Sequence, residues 1–337
     1  PSAVAMRLVT AYQASQAVTV AARLGIPDLL GEGPMTSGEI ARATATQPDM
    51  MLRLLRALAA FAVVKDLGSG TFALTPIGDA LRAGVPDTVR PFALWAGSES
   101  HWQTFATLAE CLRTGRSAFE ILYGLEGSFA FYESHPDQAR AFDDAMSAGS
   151  AFTGRAATET YDFTGLSRVV DVGGGHGKVL ASILKAHAHL RGTLFDLPRV
   201  VEGAPSLLVA DGVADRCEVV GGDMFVAVPA GGDLYLLCHV IHDWDDRLAT
   251  KVLRACRRAM APAAKLLILD LVMPERIAPS PTAQANVLAD LRMMVATGGG
   301  RERTAAEFEA LLGAADLRLQ RVLPIGASAS LLEATPA

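Results

Sequence analysis

The spacing of apolar and polar positions changes partway along this chain. Up to about residue 90 the apolar residues recur at helical intervals. LVTAYQASQAVTVAARLGI reads as an apolar helix that needs a partner surface, and GIPDLL and TSGEIARAT read as helix, break, helix. PDMMLRLLRALAAFAVV is a strongly amphipathic helix. Thr36 or Ser37 is a candidate N-cap with Glu39 in the first turn. The amphipathic helix runs into VVKDLGSGTFALT, a hairpin with Gly68 to Gly70 at its turn. Three helices followed by a hairpin is a winged-helix pattern.

From about 91 to 160 the pattern stays helical and gains aromatic residues, among them Trp95, Trp102, Phe142 and Phe152; these are core by default, and a few could line a pocket for a flat ligand. From Ser167 onward short β-rich runs alternate with helices: RVVDVGGG, GKVLASILKAH, RGTLFDLP, CEVVGGDMF, DLYLLCHVIH, ATKVLRACRRAM and KLLILDLVMP. Apolar strands alternating with helices predict a mostly parallel, doubly wound α/β sheet. A ligand belongs at the carboxyl ends of its strands.

Composition narrows the partners. At 337 residues the chain is long enough for two domains, or for one with a large extension. Its net charge of -6 argues against a nucleic-acid partner. The winged-helix stretch carries eight basic and seven acidic residues between Arg7 and Arg90 with no basic face, which favours dimerisation over DNA binding. Cys111, Cys217, Cys238 and Cys256 form no CxxC pair and read as reduced core residues. The longest apolar run near the N-terminus is interrupted by Arg53 and Arg56 and is too short for a bilayer. With no recognisable targeting segment, a cytoplasmic protein without a membrane partner is expected.

The candidate chemistry begins at VVDVGGGHG, a strand followed by glycines 173, 174, 175 and 177 opening onto a helix. The dinucleotide fingerprint does not fit, because Lys178 stands where its last glycine belongs. Asp171 before the loop would repel a pyrophosphate but suits a cation such as an amino acid's ammonium. Asp196, ending the second strand, can take two ribose hydroxyls. Asp223 follows the third strand, with Met224 and Phe225 beside it to cover a flat base. Three acids at successive strand ends, the first with Gly173 and Gly175 in its loop, form a fairly specific set that favours a nucleotide-like ligand other than a dinucleotide.

HVIHDWDD follows the fourth strand. His239 and His242 could be metal ligands, structural histidines or proton acceptors. The position of His242 at the ligand crevice, beside these acids, favours a general base, since a neutral imidazole with an ordinary pKa of about 6.5 can accept a proton from a bound ligand. No metal is expected.

In DVGGGHG, LFDLP, GGDMF, HVIHDWDD and GGRERTAAEFEALL, taken in order, the chain resembles the S-adenosylmethionine-dependent small-molecule O-methyltransferases over nearly its whole length. That class includes plant caffeic acid and flavonoid methyltransferases and bacterial polyketide-tailoring enzymes. The resemblance implies a winged-helix-like dimerisation domain at 1–90, a helical linker contributing to the acceptor pocket at 91–160, and a Rossmann-like catalytic domain at 161–337. It implies S-adenosyl-L-methionine as cofactor, S-adenosyl-L-homocysteine as product, a phenolic hydroxyl on an aromatic acceptor, and a homodimer.

By the same resemblance Gly173, Asp196, Asp223, Met224, Lys265 and Ser150 contact the cofactor. His242 is the catalytic base, oriented by Glu302 and by Asp270, which stands where plant relatives have the longer Glu. Phe142, Met146, His239, Asp243, Met294 and Thr297 are the expected acceptor contacts, Thr297 replacing an Asn of some plant relatives. Two other readings use the same residues: a relative that uses the cofactor for decarboxylation or hydroxylation, and a ligand-sensing winged-helix regulator.

Overall fold

The computed structural model describes residues 1–325 and 329–337. The chain forms two compact units, Pro1–Gln103 with His135–Gly149, and Thr104–Ser134 with Ser150–Ala337. Segment 91–160 therefore contributes to both, and the helix Pro136–Thr160 spans the boundary.

In the first unit the helix Ser2–Arg23 precedes three shorter helices, Ile26–Gly31, Ser37–Ala43 and Pro48–Ala60. The hairpin Val64–Gly68 and Thr71–Leu74 follows, and Met35–Thr36 pairs with its second strand. Thr36 is the N-cap, in a full capping box: its hydroxyl accepts from Glu39 N while Glu39 Oε2 accepts from Thr36 N at 2.8 Å. Ile26, Leu30, Ile40, Leu55, Leu58 and Phe72 close the core. The start of the first helix leaves Met6, Leu8 and Val9 exposed.

The second unit is built on a seven-stranded sheet. Its strands are β1 (Arg168–Val172), β2 (Arg191–Asp196), β3 (Cys217–Gly221), β4 (Leu234–Cys238), β5 (Lys265–Asp270), β6 (Leu317–Ile325) and β7 (Ala329–Pro336). In space they run β6-β7-β5-β4-β1-β2-β3. Strands β1 to β5 are parallel, and the β6–β7 hairpin closes one edge antiparallel to β5. Alternation on β1 explains the two buried faces: Val170 and Val172 enter one apolar cluster and Val169 the other.

The chain leaves β1 toward β2 and β3 on one side and returns to β4 and β5 on the other. That reversal opens a crevice between the carboxyl ends of β1 and β4. The glycine loop, Asp196, Asp223, His239 and Asp270 lie at or just beyond the carboxyl ends of β1, β2, β3, β4 and β5 in turn.

Candidate active site

The crevice has two halves. On the β1–β3 side, Asp171 is 1% exposed, and neither of its carboxylate oxygens has a partner in ordinary hydrogen-bonding geometry. Burial, reinforced by Asp196, pushes its carboxyl up to about 7. A Cβ at Gly174 would fall 2.6 Å from Asp171 Oδ2, so only glycine lets the loop lie on this carboxylate. Asp196 binds the same loop, accepting from Gly175 N at 2.8 Å through Oδ2 and from Leu197 N at 2.7 Å through Oδ1. Each oxygen keeps a second lone pair for a ligand hydroxyl.

Met224 Sδ lies 3.8 Å from where a Gly173 Cβ would be, which brings the glycine loop and GGDMF together. Asp223 is exposed and its Oδ1 accepts from Phe225 N at 2.8 Å. A depression of about 380 Å³ opens beside it, walled by Phe195, Asp223, Val226 and Pro229 among others. Phe225 itself packs edge-on against Trp244, with ring centroids 4.8 Å apart.

On the β4–β5 side stands His242, in the short turn Ile241–Asp243. Its Nδ1 is 3.0 Å from Glu302 Oε1 and 3.6 Å from Asp270 Oδ1, and its Nε2 is 3.7 Å from Asp243 Oδ1. Asp270 therefore comes near the ring despite being one methylene shorter than Glu. Burial alone would lower the imidazole pKa, but Asp270, Asp243 and Glu302 outweigh it and push the value up to about 10. The clustered carboxylates therefore favour the protonated ring, where the sequence suggested the ordinary imidazole range. Asp243 is itself pushed up to about 6 by burial.

His239 holds a left-handed backbone, φ 54°, rare for a residue with a side chain. That conformation places its Nδ1 3.6 Å from Asp270 Oδ1 and its Nε2 3.3 Å from Thr153 Oγ1. Ser150 lies one turn before Thr153 on the same helix. Cys238, ending β4, remains a thiol, because burial and the charges of Asp171 and Asp270 raise its pKa well above the usual range.

The remaining acids of HVIHDWDD are structural. Asp245 caps the helix Asp246–Ala259 through Leu248 N at 2.7 Å. Asp246 pairs with Arg303, which the sequence reading did not single out. This guanidinium is fully buried and donates to Ile241 O at 3.0 Å, Trp244 O at 2.7 Å and Asp246 Oδ1 at 2.9 Å. It thus grips the backbone on both sides of His242. Arg303–Thr304 also pairs in parallel with Val272–Met273, just beyond β5, which brings Glu302 alongside Asp270. A Cβ at Gly300 would lie 2.5 Å from His242 O, so this loop closes only with glycine.

Two expected contacts lie elsewhere. Lys265 opens β5 at the amino end of the sheet, its Nζ 3.7 Å from Glu333 and over the Tyr161 ring. Five residues of strand, roughly 17 Å, separate it from Asp270, so it does not belong to the crevice. The Thr297 hydroxyl is committed to backbone, donating to Met293 O and accepting from Gly300 N, both at 2.8 Å. It ties off the helix Pro281–Ala296 instead of facing an acceptor. Met294, half-buried, is on that helix. Phe142 and Met146 belong to the first unit, where Phe142 meets Trp95 edge-on.

The chain matches the O-methyltransferase domain over residues 105–318 and the O-methyltransferase dimerisation domain over residues 6–84. Phenazine O-methyltransferase PhzM of Lysobacter antibioticus is 39% identical over 335 residues, covering 99% of this chain and 96% of that one. The crystal structure of LaPhzM superposes with a TM-score of 0.92 at 39% identity, covering 100% of this chain and 99% of the other. The complex of NcsB1, an O-methyltransferase from neocarzinostatin biosynthesis, with S-adenosylmethionine and 2-hydroxy-5-methyl naphthoic acid gives 0.78 at 34% identity over 96% of each chain. A relative from Pseudomonas aeruginosa, 32% identical over 95% of this chain and 93% of its own, is phenazine-1-carboxylate N-methyltransferase.

The chain belongs to the O-methyltransferase family of secondary metabolism, and S-adenosylmethionine is its cofactor. The β1–β3 half fits that molecule: an orphaned buried carboxylate suits a cationic amino acid, Asp196 has lone pairs for hydroxyls, and the depression beside Asp223 suits a flat base.

Two expectations follow. Asp171 has a folded pKa above its unfolded one, so its contribution to stability is full below about pH 4 and lost as pH rises through about 7. Asp171→Asn should match the wild type near pH 4, melt higher near pH 8 without ligand, and bind cofactor more weakly. Thermal melts whose difference does not vary with pH would contradict this. Arg303→Lys keeps the charge but loses the planar fork. If the fork positions His242, turnover should fall by about 100-fold, the scale of a 1 Å misplacement, with cofactor affinity held. Unchanged turnover in a folded variant, checked by circular dichroism, would refute the positioning role.

Proposed function

We infer that the enzyme methylates a phenolic hydroxyl of an aromatic small molecule, with His242 as general base. The observation that carries this reading is the orientation of the ring. Glu302 Oε1 at 3.0 Å and Asp270 Oδ1 at 3.6 Å both face Nδ1, so the Nδ1 proton is held and Nε2 is the nitrogen that exchanges. S-adenosylmethionine supplies an electrophilic methyl group on a cationic sulfur.

A cation entering the crevice works against the imidazolium and draws the His242 pKa back down. The neutral ring then takes the acceptor's proton at Nε2, and the carboxylates that raised its pKa stabilise the imidazolium so formed. An aromatic nitrogen acceptor, like that of the N-methyltransferase relative, has no hydroxyl proton to lose and would leave this apparatus idle. We also place a homodimer at the first unit, supported by its match to a dimerisation domain and by the exposed Met6, Leu8 and Val9.

The test is His242→Gln assayed on phenols of graded acidity. Turnover should fall by about 100- to 10,000-fold on poorly acidic phenols and less on acidified ones, with cofactor affinity nearly unchanged. Wild-type turnover should rise with pH as the imidazolium loses its proton, while the variant should follow only the acceptor's own ionisation. Equal losses across the whole acidity series would sink the base and leave His242 a positioning role.

A further inference from the structure

We propose that His239, His242 and Asp270 form a site for a divalent transition-metal ion such as Zn²⁺, and that the ion silences methyl transfer instead of serving it. The silencing half of this proposal rests on His242 being the base.

The geometry comes first. Asp270 Oδ1 is 3.6 Å from Nδ1 of His239 and 3.6 Å from Nδ1 of His242. Those separations exceed hydrogen-bond reach, yet they approach the roughly 3.3 Å edge of a tetrahedron whose metal–ligand bonds are about 2.0 to 2.1 Å. One ligand atom from each of His239, His242 and Asp270 lies within 4.8 Å of the others. Two imidazole nitrogens and one carboxylate oxygen make a three-ligand set that leaves the fourth position to water, with Glu302 Oε1, 3.0 Å from His242 Nδ1, beside the set and outside it.

The second observation is independent of that spacing. Asp270 is 0% exposed and neither oxygen has a hydrogen-bond partner, and Glu302 Oε2 is likewise buried and unpartnered. Buried carboxylates normally saturate their lone pairs, so these oxygens leave a need that a cation answers. His239 reaches the cluster only through its left-handed backbone, a strained conformation that turns its ring onto Asp270.

Occupancy would change the chemistry of the ring. A neutral imidazole has one proton and one lone pair. The metal displaces the Nδ1 proton to solvent and takes that lone pair, the remaining proton resides on Nε2, and that nitrogen has nothing left to accept the acceptor's proton. Catalysis and metal binding are therefore mutually exclusive uses of one cluster.

Titrating the full-length protein with Co²⁺ tests this without reference to turnover. One equivalent per chain should give the intense visible absorption of four-coordinate cobalt, and Zn²⁺ should bleach it. The absorption should be lost in Asp270→Asn and in His239→Asn, asparagine being tolerated in the left-handed region, with folding checked by circular dichroism. Zn²⁺ should suppress wild-type turnover, and a chelator should restore it. A blank or weak six-coordinate spectrum, or one that persists in His239→Asn, overturns the site; binding without loss of turnover overturns the silencing. A blank spectrum leaves the base assignment standing, because that assignment fails only through the acidity series of His242→Gln.

Discussion

Everything distinctive about this catalytic domain depends on keeping negative charge around one imidazole inside protein. Asp270 and Glu302 are almost wholly buried, and with Asp243 they surround His242 closely enough to overcome the burial that would favour a neutral ring. Buried like charges repel, so the cluster is sustained by its countercharges, the His242 ring and Arg292 near Glu302, and by the backbone that fixes it. The fold supplies this by ending parallel strands at a common edge. Asp270 is the last residue of β5, and the short parallel pair just beyond it delivers Glu302.

Arg303 joins this electrostatic demand to the backbone. Its guanidinium binds two carbonyls of the His242 turn and the side chain of Asp246, fixing the ring's position through the main chain while touching no part of the ring. The capping box of Thr304 and Glu307 starts the next helix immediately afterwards. Sheet edge, buried fork and helix cap thus meet within a few residues of GGRERT. The same division of labour appears at the other half of the crevice, where Asp196 ties down the glycine loop through Gly175 N and leaves Asp171 with unsatisfied oxygens.

Much of this was legible from the residues. Period changes gave the helical first part, the hairpin and the parallel sheet, and acids at strand ends marked the crevice, because strand order and strand direction together decide where a ligand can sit. Motif resemblance carried His242, Glu302 and Asp270. What sequence could not convey was which end of a strand a residue occupies in space, and what its polar atoms already hold. Lys265 stands in KLLILD only five residues before Asp270 but at the other end of the same strand, away from the crevice. Thr297, expected to contact the acceptor, spends its hydroxyl on a helix end. Nothing in GGRERT marks Arg303 for burial, and only the fold shows it fully buried. The raised pKa of His242 was hidden for the same reason, since it depends on three carboxylates drawn from separate segments.

The central claim is that this carboxylate cluster sets the charge of His242 and that a cation in the crevice resets it. Imidazole ¹⁵N chemical shifts of His242, followed against pH without ligand, with S-adenosylmethionine and with the neutral S-adenosylhomocysteine, measure it directly. The account predicts a pKa far above the ordinary imidazole value in the free protein, drawn down by the cationic ligand and much less by the neutral one. An ordinary pKa of about 6.5 in all three states would contradict it.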